Sequence, residues 1–219
     1  MRLRDDFFVR EVVRPGDYDW VASPASGVER MMLDRIGGEV ARATTIVRFA
    51  PGSRFDAHIH GGGEEFFVLE GVFSDETGDF PAGCYMRNPI GTSHTPRTEP
   101  GCTIFVKLHQ FDDGDTAQFS IDTTKAGFRP GAAKGLEALP LHRTDREEVR
   151  LVRFAPGAVG PGHVHKGGEE VYVLEGEYRD EHGAYGKGTW VRSPHGSRHT
   201  PWSETGCLLW IKTGHLPAE

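Results

Sequence analysis

The chain is poor in cysteine. Three occur in 219 residues, Cys84, Cys102 and Cys207. An odd, sparse set supplies no disulfide framework and fits a reducing cytoplasm. No Cys-x-x-Cys pair is present, which argues against a thiolate metal site or a thioredoxin-type motif. Basic charge is also in deficit: 25 Lys and Arg face 32 Asp and Glu, for a net charge of −7. Nucleic-acid binding depends on neutralising phosphates, so that balance speaks against a nucleic-acid partner. Long apolar runs are missing. The opening "MRLRDDFFVR" has neither the apolar core of a signal peptide nor the length of a membrane span, so the expectation is a cytoplasmic chain with no membrane partner. Capped segments with a 3.6-residue period are absent as well, and only 29–36 admits a helix.

What the sequence does have is glycine, proline and a repeat. The 29 Gly and 14 Pro suit many short strands joined by turns, and 37% apolar residues suffice for a core. Arg48-Phe49-Ala50-Pro51-Gly52 recurs as Arg153-Phe154-Ala155-Pro156-Gly157, an offset of 105. At the same offset "VLEG" at 68–71 recurs at 173–176, Gly83, Pro89, Gly91 and His94 recur as Gly188, Pro194, Gly196 and His199, and Gly101-Cys102 recurs as Gly206-Cys207. Upstream, Trp20 and Gly27 align with Phe128 and Gly135 at an offset of 108, so the second copy is three residues shorter there. A repeat of about a hundred residues is a domain, not a solenoid unit. Two domains are expected, 1–115 and 116–219. The polar, turn-rich segment 111–135, with a short strand-like piece at Gln118–Asp122, reads as a connection over the surface. Within each copy "EFFVLEG" and "EVYVLEG", "CTIFVKL" and "CLLWIKT" are β-type runs, while "FSDETGDFPAG" and "YRDEHGAYGKG" have the form of hairpins.

Six of the eleven histidines recur in pairs at the offset of 105. On a strand, His58-Ile59-His60 would send both imidazoles to one face. Glu64 follows a glycine-rich turn, and His94 arrives from a distant segment. The second copy supplies His163, His165, Glu169 and His199. Imidazole with carboxylate is a ligand set for Zn, Fe, Mn, Ni or Cu rather than Ca or Mg. Each copy carries a Glu pair, and the repeat alone does not choose within it. Strand alternation turns Glu64 inward with Phe66 and Val68, which favours Glu64 and Glu169 as ligands. Glu65 and Glu170 are the alternatives, otherwise surface or supporting groups. His109, His142, His182, His195 and His215 have no counterpart and are read as ordinary histidines. Arg87 and Arg192, Lys107 and Lys212, and Glu99 and Glu204 are equivalent pairs for which a pocket and a solvated surface are both open. Cys102, Cys207, Tyr172, Trp190 and Trp210 are expected in the core.

These residues resemble the two motifs of the cupin superfamily. The first reads Gly52, His58, His60, Glu64, Gly71 and again Gly157, His163, His165, Glu169, Gly176; the second reads Gly83, Pro89, Gly91, His94 and again Gly188, Pro194, Gly196, His199. The second motif usually ends in Asn, where this chain has Thr98 and Ser203. The resemblance implies an all-β fold of two tandem cupin barrels, the double-stranded β-helix or jelly roll. A narrower likeness is to the cupin domain of ChrR-type anti-sigma factors, carried by "GEE", "VLEG", the Asp-Glu of the hairpin and "GTSHTP". ChrR proteins bind zinc and grip their sigma factor through a separate helical domain with a His/Cys zinc site. The first forty residues here contain no Cys and no His, so sigma-factor binding is not expected to carry over. The resemblance implies a divalent transition metal in each barrel, zinc first, with Fe, Mn or Ni as alternatives. It implies a small-molecule ligand or substrate, and it leaves homo-oligomer formation open. Two functions compete: a sensing or binding module, and a metal-dependent dioxygenase acting on a small carbonyl or acidic substrate, as in the acetylacetone- and quercetin-cleaving members. A third reading is duplication for stability, with one site silent.

Overall fold

A computed structural model describes residues 1–218. Apart from one turn of 3₁₀ helix at Pro15–Asp17, every regular element among them is a β-strand. The chain forms two compact units: Met1–Asp5 with Asp19–Ala126, and Asp6–Tyr18 with Gly127–Glu219.

In the first unit one antiparallel sheet runs in the order Arg2–Leu3, Val28–Gly37, Ala41–Phe49, Cys102–Leu108, Glu64–Asp75, Cys84–Asn88, Phe119–Asp122. A short second sheet pairs His58–Ile59 with Ser93–His94, with His58 opposite His94. The second unit repeats this plan. Its sheet runs Arg129–Pro130, Leu136–Arg143, Glu148–Phe154, Cys207–Thr213, Glu169–Asp180, Trp190–Ser193, Glu11–Val13. Its short sheet sets His163 opposite His199.

Each unit is a jelly-roll barrel with its own apolar filling. Val47, Phe49, Phe66, Val68, Phe73, Ile104 and Val106 fill the first, and Val152, Phe154, Val171, Val173, Tyr178, Leu209 and Ile211 fill the second. Burying side chains of this size stabilises by about 1.5–3 kcal/mol each. The long strands Glu64–Asp75 and Glu169–Asp180 enter one sheet and leave through the hairpin strands Gly78–Pro81 and Gly183–Gly186. The crossing is made at Gly71 and Gly176, with φ +71° and +70°. A Cβ there would lie 2.0 Å from Gly101 O, or 2.1 Å from Gly206 O. Only glycine tolerates both the left-handed backbone and that approach.

Segment 29–36, which admitted a helix, lies instead within the strand Val28–Gly37, hydrogen-bonded to Ala41–Phe49 on one side and Trp20–Ala22 on the other. Its Met, Leu, Glu and Arg favour helix locally, but strand pairing and burial of Val28, Met31 and Leu33 override that preference. The connection 111–135 is more than a surface link. Phe119–Asp122 pairs with Cys84–Asn88 as an edge strand of the first unit. The corresponding edge of the second unit is taken by Glu11–Val13 against Trp190–Ser193. The units therefore do not follow a single cut between 115 and 116: each barrel's edge strand comes from chain on the other side of its main body.

Candidate metal centres

The short His58–Ile59 strand leaves Ile59 71% exposed and turns both neighbouring imidazoles to the barrel interior. The rings of His58 and His60 lie 5.3 Å apart, and that of His94 lies 5.0 Å from His58 and 4.6 Å from His60. Glu64 opens the long strand beneath them, with Oε1 3.6 Å from His60 Nε2 and 3.5 Å from His94 Nε2. The second barrel repeats the arrangement. Glu169 Oε1 is 3.4 Å from His165 Nε2 and 3.5 Å from His199 Nε2, and its Oε2 is 3.8 Å from His163 Nε2. Within each group of four, one donor atom per residue lies within 4.8 Å of every other. Two ligands at about 2.1 Å from an ion, separated by about 100°, would be about 3.2 Å apart, so these spacings suit a common ion.

The other nitrogen of each ring decides the tautomer. His58 Nδ1 meets Asp56 O at 3.0 Å and His163 Nδ1 meets Pro161 O at 3.0 Å. A carbonyl only accepts, so both Nδ1 atoms carry the proton. His60 Nδ1 and His165 Nδ1 each lie 2.9 Å from Thr92 Oγ1 and Ser197 Oγ. Those hydroxyls donate onward to Pro89 O and Pro194 O, so they accept from the rings. His94 Nδ1 reaches Asp75 Oδ2 at 3.3 Å and His199 Nδ1 reaches Asp180 Oδ2 at 3.1 Å. In their neutral form all six imidazoles thus present a bare Nε2 toward the Glu64 or Glu169 carboxylate. Nε2 of His60, His94 and His199 is buried without a hydrogen-bond partner among the described residues. Nε2 of His163 and His165 stand 3.2 Å apart. Buried lone pairs aimed at one another are costly unless a cation sits between them. The residues present fit a divalent metal held by three histidines and one carboxylate.

Electrostatics agree for His60 and His165. Burial, opposed in part by Glu64, keeps His60 below the usual histidine range. Burial likewise takes His165 down to about 4, so both rings are neutral ligands at neutral pH. Burial also pushes His94 down, but its hydrogen bond to Asp75 and the nearby carboxylates outweigh that and leave it raised. Glu169 would be raised by burial; His163 and the other surrounding imidazoles hold it below the usual range instead. Asp180 falls to about 2, as bonds from His199, the His182 N–H and Tyr185, together with the charge of Arg10, overcome its burial.

The structure divides the Glu pair. Glu64 joins the histidines and is steadied by Asn88 Nδ2 at 3.2 Å. Glu65 turns to the opposite face of its strand, where it is 1% exposed and accepts from Tyr85 OH at 2.6 Å and Arg87 Nη1 at 2.9 Å. Glu170 is equally buried, bonded by Trp190 Nε1 at 2.7 Å and His215 Nε2 at 3.0 Å. The surface reading of these two glutamates is corrected, and so is that of Arg87, Arg192, Lys107 and Lys212. All four cations are buried; Lys107 Nζ donates to Thr44 Oγ1 and Lys212 Nζ pairs with Glu147. His215, read as ordinary, is a part-buried partner of Glu170. Tyr172, Trp190, Trp210, Cys102 and Cys207 are core residues as expected, and burial raises both thiols to about 11. At the departures from Asn, Thr98 Oγ1 and Ser203 Oγ bond Val72 O and Glu177 O, each at 2.6 Å. Four site residues went unassigned in the sequence: Asp75, Asp180, Thr92 and Ser197. Each pair sits at the offset of 105, which was the available signal.

Two copies of one family model, the ChrR cupin-like domain, match residues 9–112 and 116–217. The chain belongs to the ChrR cupin-like family. This bicupin also matches solved structures at low identity, which shows the shared fold. One is a dioxygenase candidate from Nostoc punctiforme, 13% identical, TM-score 0.80, covering 97% of this chain and 85% of that one. Another is the E. coli protein YlbA, 16% identical, TM-score 0.73, covering 98% and 94%. A variant of Bacillus subtilis oxalate decarboxylase is 14% identical, TM-score 0.66, covering 93% and 76%. Among curated proteins no match is found. No helix among the described residues is long and apolar enough to cross a membrane.

Proposed function

We propose that the bicupin is a small-molecule binding or sensing module with one divalent transition metal per barrel, zinc first, held by His58, His60, Glu64 and His94 and by His163, His165, Glu169 and His199. The reading is carried by the six Nδ1–H tautomers, which leave every Nε2 lone pair converging on a carboxylate. When bound, such an ion supplies a Lewis-acidic centre of net charge near +1, able to take an oxygen of a ligand. The chain's own residues hold the imidazoles in register through Asp75, Asp180, Thr92 and Ser197. Cavities of about 710 Å³ and 290 Å³ adjoin the two groups, in the size range of ligand sites. They supply the space in which a ligand would meet the ion.

The same cavities support a second reading, a metal-dependent dioxygenase, because His58 and His163 are the partly exposed members of their groups and a ligand can reach them. Metal analysis of protein purified without added metal, followed by oxygen uptake with diketones and flavonols, separates the two. Two equivalents of zinc and no turnover support the binding module. Iron or manganese with oxygen uptake replaces it by the enzyme. Retention of two tightly held ions by the His60→Ala, His165→Ala double variant would overturn the ligand assignment itself.

A further inference from the structure

Each barrel sets an arginine on the wall of its cavity, and the two arginines are not copies of one another. Arg30 lines the first cavity with Val47, His58, Glu64 and His94. Arg150 lines the second with Val152, His163, Glu169 and His199. Sheet register fixes the equivalences. Val28 pairs with Phe49 and Arg30 with Val47, just as Leu136 pairs with Phe154 and Ala138 with Val152. The counterpart of Arg30 is therefore Ala138. On the neighbouring strand, Arg150 pairs with Pro140 as Thr45 pairs with Met32, so the counterpart of Arg150 is Thr45. The cation has changed strands within the same ribbon while staying in the cavity. Simple inheritance would keep it at one position, so its presence in both cavities by different routes points to a demand made by the cavity. Arg54, exposed at the first cavity, has only Val159 opposite it in the repeat and is not part of the shared feature.

The surroundings leave both guanidinium groups with capacity to spare. Arg30 is 18% exposed and pairs with Glu39, which is 70% exposed, at 3.1 Å. Its Nε is buried with no hydrogen-bond partner among the described residues. Arg150 is 24% exposed and pairs with the 34% exposed Glu148 at 3.2 Å. The ion pair with exposed Glu39 contributes little, Glu148 engages a single nitrogen of Arg150, and a planar guanidinium matches a carboxylate with two parallel hydrogen bonds.

We infer that each cavity takes a small dicarboxylate-type organic acid, one carboxylate held by Arg30 or Arg150 and the other turned to the histidine–glutamate group. The second contact rests on the metal-site reading above; the first rests on the arginine alone. Two positive centres facing one mainly apolar cavity select for a dianion and against neutral or cationic ligands. The smaller second cavity admits the shorter acids, and the first has room for longer ones.

The test is calorimetric titration of the full chain, zinc-loaded and then chelator-treated, with malonate and with the neutral diamide malonamide. Zinc-loaded wild type is expected to bind malonate at two sites and malonamide at neither. Arg30→Met and Arg150→Met should each weaken one site by about 10- to 100-fold, and the Lys variants should recover part of it. Equal binding of malonate and malonamide by wild type overturns the inference without any variant. So does undiminished malonate affinity in the folded Arg30→Met, Arg150→Met double variant, or no malonate binding by zinc-loaded protein. If no zinc is retained but malonate still binds in an arginine-dependent way, the inference stands and the metal reading fails.

Discussion

Replacing Asp180 by Asn isolates what the supporting carboxylate contributes to the second centre. Asp180 Oδ2 accepts from His199 Nδ1 at 3.1 Å and from Arg10 Nη2 at 3.0 Å; Oδ1 accepts from Tyr185 OH at 2.9 Å and from the His182 N–H at 2.8 Å. Asn keeps the shape but removes the charge that favours Nδ1–H and orients the ring. Loss of such a partner typically lowers metal affinity by about 10- to 100-fold, or about 1.4–2.8 kcal/mol. The first centre is an internal control, because Asp75 and its bonds to His94 and Thr77 are untouched. Competition with a chromophoric chelator should therefore show one of the two wild-type sites weakened in the variant and the other unchanged. Apo stability should also fall, because Arg10 loses its carboxylate partner and keeps only the neutral Tyr185 hydroxyl. An apo fold destabilised as expected, but with both metal affinities unchanged, would refute the claim that Asp180 positions His199 as a ligand.

Acid unfolding should carry the signature of the same residue. With its folded pKa depressed to about 2, Asp180 stabilises the native state above its unfolded value, about 3.9, and that contribution disappears as pH falls through about 2. Urea titrations of apo protein across this window should show a steeper loss in wild type than in Asp180→Asn. Glu64→Gln and Glu65→Gln should behave oppositely although they are adjacent. The first should lose one metal equivalent while apo unfolding changes little. The second should retain both equivalents but unfold about 1–3 kcal/mol more easily, because the buried Tyr85 hydroxyl and Arg87 lose a charged acceptor while Arg87 keeps its pair with Asp115. Gly71→Ala should destabilise the first barrel beyond the usual cost of about 1 kcal/mol for a Gly-to-Ala strain site, since its Cβ meets Gly101 O. A thermal midpoint equal to wild type would count against that crossing geometry.

Much of the fold and of the candidate site was legible because the chain states it twice. The offset of 105 picked out the eight candidate ligands, and strand parity favoured Glu64 over Glu65. Hairpins were readable from local turn residues. The failures are non-local. Glu11-Val12-Val13 is too short to announce a strand, and its partner Trp190–Ser193 is far along the sequence. Val28–Gly37 is written in helix-favouring residues whose fate is decided by neighbours. Arg87, Lys107 and Glu65 look like surface charges because a sequence shows each charge but not the hydrogen-bonded network that makes its burial tolerable. Asp75 and Asp180 were visible as a repeated Asp-Glu, but their role depends on a ring nitrogen reached only after the chain has folded back.

The edge strands give the duplication a different meaning from two beads on a string. A gene cut after residue 115 would yield a first fragment without Phe119–Asp122, its own closing strand, yet still carrying Glu11–Val13, the strand its sister needs. Each fragment would be left with a raw sheet edge, a template for pairing with another chain. The interleaved order Met1–Asp5, Asp6–Tyr18, Asp19–Ala126, Gly127–Glu219 draws each barrel from chain on both sides of residue 115. It would hinder the loss or shuffling of either copy during evolution, and a fragment that did escape would be drawn toward strand exchange with the intact protein.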